Sequence, residues 1–403
     1  MGSRTILIAA AAALGATGTS QKAPAPCTQP LPEAITHIKI AGRPADLAAT
    51  RDGCWIFVSS NGQPAERGVT VLHNANGRFE TQRFVKVAGG PFGLVLTHDE
   101  KLLIVAAGAE AVFLDIGRLQ SGKGNPVTGT NSDAAFLGSI LVSVTPDDKL
   151  AFVSQERSAS VSVIDLSRAR GAAGFSSRAI VGKIPVGEAP VSVEVSPDGK
   201  LLYITSQNPP PSFGWRKTCI NPANPGNGMT HPFGVVLVAD VARAAIKPAE
   251  SVIGAVRAGC NPVRVAVSPD GATAYVSART DNALLVFDTK KMLSDTAHAM
   301  IGNVPVGTAP VGIAVVENGA KIVVTNSNRF EGSANNDQDL TVVDATKVAE
   351  GAHAVIGSIP AGAFPRQIHL AADGTTLLLT NFTSGTLEII DLKRLASFLK
   401  SGH

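Results

Sequence analysis

The residues able to do chemistry in this chain stand out as exceptions to a pattern. Short apolar segments recur, most of them opening on proline. The second residue after the proline is Asp46, Gly93, Ser192, Arg264, Gly312 or Gln367, with Leu141 in the copy that lacks proline. Two positions further on stand Ala48, Val95, Ser143, Glu194, Ala266, Ala314 and His369. Most are small or apolar. The polar exceptions are Asp46, Glu194, Arg264, Gln367 and His369, joined by Arg366. The ends of the following segments add Gln155, Gln207, Arg279, Asn326 and Asn381. Cations and amides gathered around a concavity suit an anionic or polyhydroxylated ligand. Hydrolysis at a carbonyl needs a general base and a cation to polarise that carbonyl. His369 with Arg366 or Arg264, and Glu194 beside them, is the set on offer. The plain alternative is a water-filled channel with structural ion pairs such as Arg264–Glu194. No Gly-x-Ser-x-Gly elbow or glycine-rich nucleotide loop occurs, and no cofactor is implied. No Cys-x-x-Cys or His-x-x-x-His spacing points to a metal.

The elements that position these residues are repeats. The turns Thr50–Gly53, Thr97–Glu100, Thr145–Asp148, Ser196–Gly199, Ser268–Gly271, Val316–Gly319 and Ala371–Gly374 are spaced by 47, 48, 51, 72, 48 and 55 residues, counted between their last residues. A period in this range marks a repeat architecture. Asp or Asn before Gly between two alternating apolar runs makes a hairpin turn, because these residues tolerate positive φ. A third strand ends on Asp115, Asp165, Asp240, Asp288, Asp344 or Asp391, with His73 in the first copy. A fourth strand runs into a small-residue link such as Ile301–Gly307. Four short strands per repeat, repeated radially, predict an all-β, seven-bladed β-propeller.

The Ser-Pro-Asp-Gly turn at Ser196–Gly199 and Ser268–Gly271, the Tyr-Val-Ser and Val-Thr-Asn strands, the Val-Ile-Asp strand end and the Gly-x-x-Pro lead-in resemble the YVTN-type β-propeller repeat. The resemblance covers about residues 34–403. It implies the architecture and leaves the reaction open: members are mostly secreted or surface proteins, and relatives of similar shape include lactonases. The repeats run 41–87, 88–133, 134–186, 187–258, 259–306, 307–361, and 362–403 together with 34–40. The last repeat stops after Thr386–Asp391, and Ile35–Gly42 matches the missing fourth strand. The N-terminal strand is therefore expected to complete the last blade and remove an exposed edge. The second repeat shows no clear fourth strand in 117–135. The tail Leu392–Leu399 has the apolar spacing of one short helix.

Binding is expected on the loops of one face. The 207–233 insertion accounts for the 72-residue gap and carries Trp215, Arg216 and His231 among stiffening prolines. It is a recognition surface or a plain lid. The 326–339 loop carries Asn326 and Arg329 within an amide and acidic cluster; it lacks the spacing of a calcium loop and reads as a solvated loop. Both loops are expected on one face, flanking blade 5, where they would meet a small polar ligand or a protein partner.

Residues 1–20 read as a signal peptide, with Arg4 ahead of the apolar Ile6–Leu14, and 21–33 as a linker. The apolar core is too short to span a bilayer. The expected location is periplasmic or secreted, and the expected state a monomer. Only 17% of residues are charged and the net charge is +3, which argues against a nucleic-acid footprint. Four cysteines in an exported chain suit disulfides. Sequence allows three pairings, but propeller topology separates them. Cys27 and Cys54 fall on the turn face, Cys219 and Cys260 on the loop face. The pairs Cys27–Cys54 and Cys219–Cys260 follow, the alternative being free buried thiols.

Overall fold

The computed structural model describes residues 27, 31–133, 135–170, 178–220, 230–329 and 338–399. The expected signal segment and parts of both singled-out loops lie outside them. Seven four-stranded antiparallel sheets form the blades of a β-propeller. Their inner strands are Pro44–Ala49, Pro91–Leu96, Ser139–Val144, Glu188–Val195, Pro262–Val267, Pro310–Val316 and Pro365–Leu370. Each inner strand touches the next, and the seventh touches the first. The N-terminal strand Ile35–Lys39 pairs with Thr386–Asp391 in register Ile35↔Ile390 to Lys39↔Thr386, so it completes blade 7. The core lies between blades, where alternate strand residues interdigitate, as Phe152, Val163, Leu202 and Leu237 do between blades 3 and 4.

Blade 2 does have a fourth strand, contrary to expectation. Val127–Asn131 pairs with Ala111–Leu114. Its Val-Thr-Gly-Thr-Asn sequence lacks apolar alternation because four of its five residues are only half-buried.

Local chemistry explains the repeated residues. In the turns, the leading hydroxyl bonds the Asp carboxylate, as Thr145 Oγ1 does to Asp147 at 2.7 Å, and accepts from the strand beyond, as from Leu150 N at 3.1 Å. The fourth turn residue has positive φ: Gly199 at 73° and Gly271 at 74°, but also Glu100 at 52° and Asp148 at 55°. The two departures from glycine have a use. Glu100 accepts Arg51 N of the blade 1 turn at 2.7 Å. Asp148 accepts His98 N and Asp99 N of the blade 2 turn at 2.7 and 2.8 Å. The Asp closing the third strand caps a short helix, as Asp240 does through Arg243 N.

A hydroxyl near the end of the second strand ties inner strands together. Each inner strand bulges after its first residues, and the hydroxyl accepts the bulge amide. Ser277 takes Arg264 N at 3.1 Å and donates to Val311 O of the next blade at 2.8 Å. Ser154 and Thr205 donate likewise to Val191 O and Val263 O at 2.7 and 3.2 Å. Ser59 reaches Phe92 O. Blade 2 has Ala106 here, and a backbone bridge Gly108↔Ser139 joins it to blade 3 instead. Between blades 7 and 1 the carbonyl of Ala45 is met by Arg366 Nη1 at 2.8 Å. Ser277→Ala leaves two buried backbone groups unpaired, and the expected loss is about 1–3 kcal/mol. Urea denaturation checks it: the midpoint falls while the slope stays unchanged.

Both disulfides form as expected, Cys27–Cys54 and Cys219–Cys260. The tail forms short helical turns over Leu392–Arg394 and Leu395–Phe398, burying Leu392 and Leu395. No helix of the described residues is long and apolar enough to cross a membrane.

Candidate functional site

The inner strands run from the loop face to the turn face, so their polar exceptions line the axis at two depths. Near the loop face lie Arg366, then Arg264, Gln367 and Asp46; deeper lie Glu194 and His369. Arg264 is 4% exposed. Its Nε donates to Gln367 Oε1 at 2.7 Å and its Nη1 to Val263 O at 3.3 Å. Arg279, at the end of the second strand of blade 5, donates to Gln207 at 3.3 Å. Arg329 stacks on Phe364 at 5.6 Å. Arg366 lies 4.9 Å from the Phe92 ring and 5.5 Å from the Phe382 ring.

These four arginines feel one another. Burial, first, and then neighbouring guanidiniums lower Arg264 and Arg279 to about 9. Arg366 falls to about 10 through burial and Arg329, with Asp46 and Glu156 opposing, and burial also lowers Arg329. All stay protonated at neutral pH. Among the described residues, the carboxylates acting on them are Asp46 and Glu156. Asp46 is already engaged: it accepts Leu47 N at 2.8 Å, Leu94 N at 3.0 Å and His369 Nε2 at 3.0 Å. Arg279 and Arg329 have further partners, whereas Arg264 Nη2 and Arg366 Nε and Nη2 have none among the described residues and stay open, donors that an anion would take up.

The expected Arg264–Glu194 ion pair does not form. The Glu194 carboxyl has no hydrogen bond or ion pair among the described residues. Burial raises its pKa to about 7, partly opposed by His369. Glu194, deep in the ring, and Arg366, near the loop face, both keep part of their surface open, and the His369 side chain is 42% exposed. Such residues line a channel open to solvent. An acid whose folded pKa is raised binds its proton more tightly in the folded state, so its contribution to stability falls as pH rises through about 7. Glu194→Gln removes that cost. The variant should match the parent near pH 4 and exceed it above about pH 7 by no more than about 3 kcal/mol, channel water reducing the figure. Denaturation midpoints at acidic and alkaline pH check the sign; an equal difference at both would contradict it.

Other expected site residues lie elsewhere. Asn326 and Asn381 are buried and turn to their own third strands: Asn326 Nδ2 donates to Asp339 at 2.7 Å, Asn381 Nδ2 to Glu388 at 2.8 Å. Gln155 is held by Lys183 Nζ at 3.0 Å. Trp215 stacks on Phe213 and under Arg257, ring centroids at 5.3 Å and guanidinium at 5.1 Å. Arg216 is exposed, and His231 bonds Pro232 O at 2.8 Å beside the hairpin Lys217–Ile220/Thr230–Pro232. That hairpin is pinned by Cys219–Cys260 to the link between blades 4 and 5. Sequence reasoning missed Glu156, next to the recognised strand end Gln155, and the phenyl rings of Phe92, Phe364 and Phe382.

A cavity of about 950 Å³ opens between blades 6 and 7, lined by His37, Asn326, Asp339, Ser358 and Thr386 among others, and by none of the four arginines. Wedges between blades widen outward as a consequence of radial packing. Charge, rather than volume, marks the axis as the candidate site.

The class is thus a seven-bladed β-propeller with an arginine-rich axis. No protein-family model matches the chain, and no curated protein matches it. Solved structures of similar shape include Kuenenia stuttgartiensis hydrazine synthase, with TM-score 0.64 at 19% identity over 88% of this chain and 97% of that one. The Swd1 β-propeller domain of Myceliophteria thermophila gives TM-score 0.61 at 11% identity over 88% and 98%. A functionally unknown protein from Desulfotomaculum acetoxidans gives 0.56 at 14% over 80% and 86%. At these identities the likeness is one of fold.

Proposed function

We propose that the chain is an exported, YVTN-type β-propeller that binds a small anionic ligand at the loop-face mouth of its channel. The observation that carries this is the approach of Arg264 and Arg366 near the channel mouth, each keeping N–H groups without a partner among the described residues and open to solvent. Two disulfides suit an oxidising compartment. Binding to the folded state raises the melting temperature by mass action. Succinate, citrate and phosphate, each at ionic strength matched with chloride, should therefore raise it well beyond chloride. Equal effects of all four salts would sink the proposal.

A second reading is favoured by one contact. His369 is solvent-accessible and bonded through Nε2 to the buried Asp46, with Glu194 acting on it electrostatically. A carboxylate that orients an imidazole is the arrangement of a general base. A lactonase-like hydrolase would use it. Here His369→Ala should lower lactone hydrolysis by about 100-fold or more; an unchanged or absent rate leaves the binding role alone.

A further inference from the structure

Resting on the anion-binding reading, we infer that Arg366 is the ligand's anchor: its Nε–Nη2 edge takes a carboxylate or phosphate-ester group side-on, and Phe92 and Phe382 are its positioning residues. Arg366 uses Nη1 for the Ala45 carbonyl at 2.8 Å. Its Nε and Nη2 have no hydrogen-bond partner among the described residues, and neither is sealed from solvent. These two N–H groups point the same way in the guanidinium plane, which is the geometry that matches two oxygens of one oxyanion. The two phenyl rings lie 4.9 and 5.5 Å from the guanidinium carbon. Phe382 in turn packs on Phe364 at 5.2 Å and under Arg43 at 5.6 Å, so it is held from several sides. Rings against the guanidinium restrict its rotation, and the Ala45 bond fixes which edge faces inward. The unused edge is thereby oriented before any ligand arrives, which reduces the entropy lost on binding.

A second donor stands nearby. Arg264 uses Nε for Gln367 and Nη1 for Val263 O, leaving Nη2 without a partner and open. Arg264 and Arg366 are close enough for each charge to act on the other site. A ligand with one oxyanion on the Arg366 edge and a further oxygen toward Arg264 would satisfy both. Small dicarboxylates, hydroxy acids and phosphate esters have this shape.

The test uses the full secreted chain with succinate, glycerol phosphate and chloride as probes. Nitrogen-15 spectra of the arginine side chains follow Arg366 Nε–H during titration, and calorimetry gives affinity. The expected result is a large shift of the Arg366 resonance at the same midpoint as the heat signal. Arg366→Lys, which keeps the charge and loses the planar edge, should weaken binding about tenfold or more. Phe382→Leu should weaken it less, and Phe382→Tyr should restore it, a rescue that loss of packing alone does not predict. The two probes distinguish a carboxylate from a phosphate preference. If the probes bind while the Arg366 resonance stays put, the anchor is elsewhere and the inference fails, although anion binding stands. No binding by any probe overturns both. The wild-type spectra decide the matter even if Arg366→Lys fails to fold.

Discussion

Arg264→Met should abolish anion-induced stabilisation while leaving the ligand-free protein about as stable as before. The two effects have separate causes. Arg264 is buried, and three other guanidiniums act on its charge. Removing it relieves burial of a cation and mutual repulsion, which offsets loss of the bonds to Gln367 and Val263 O. For the ligand there is no such offset. A charge-assisted hydrogen bond contributes about 1.5–3 kcal/mol, so affinity should fall by about 10- to 100-fold. Melting temperatures with and without succinate separate the two. A variant that is less stable yet still responds fully to succinate would show that Arg264 is a structural residue. Raising salt should shrink the ligand effect in the parent protein, since the mouth is open to water.

Cys54→Ser should destabilise the fold more than any surface substitution and should also weaken the anion site. The Cys27–Cys54 bridge closes a separation of 27 residues. In the chain-entropy picture such a bridge contributes about 3.5 kcal/mol. It holds the N-terminal segment against blade 1, where Cys27 N also bonds Asp52 O at 2.8 Å and Asn74 donates to Cys27 O at 3.0 Å. Beyond it, Ile35–Lys39 forms the outer strand of blade 7, the blade whose inner strand carries Arg366, Gln367 and His369. Loosening the outer strand therefore reaches the site through one sheet. Cys219→Ser should act differently. It frees the hairpin over blades 4 and 5 and leaves the arginines in place. Guanidinium denaturation together with succinate affinity for both variants checks the contrast; equal losses of affinity would refute it.

Much of the architecture was legible because the repeat is a physical period. Each Asp-Gly turn marks a hairpin, each hairpin assigns the neighbouring loops to a face, and faces sort the cysteines. Arg264, Glu194 and His369 were legible because they interrupt a row of small and apolar residues. The fourth strand of blade 2 was not, since Val127–Asn131 is half-exposed and lacks alternation. Nothing in the repeat pattern singles out Phe92 or Phe382, and only the folded ring shows Arg366 against both. Glu156 sits in an exposed turn, and nothing local says that it acts on arginines from blades 5, 6 and 7. The same holds for the hydroxyl ties: the motif names Ser277, but its partner Val311 O belongs to the next repeat.

Around most of the ring, neighbouring inner strands are joined by a serine or threonine hydroxyl, and between blades 2 and 3 by a backbone bridge. Between the last blade and the first, the joint is the Arg366 guanidinium on Ala45 O. If Arg366 anchors an anion as proposed, one side chain both ties these blades and holds the ligand. A molecule seated on Arg366 leans on the seam where the chain's two ends meet, so an occupied propeller would be harder to unbuckle there than an empty one.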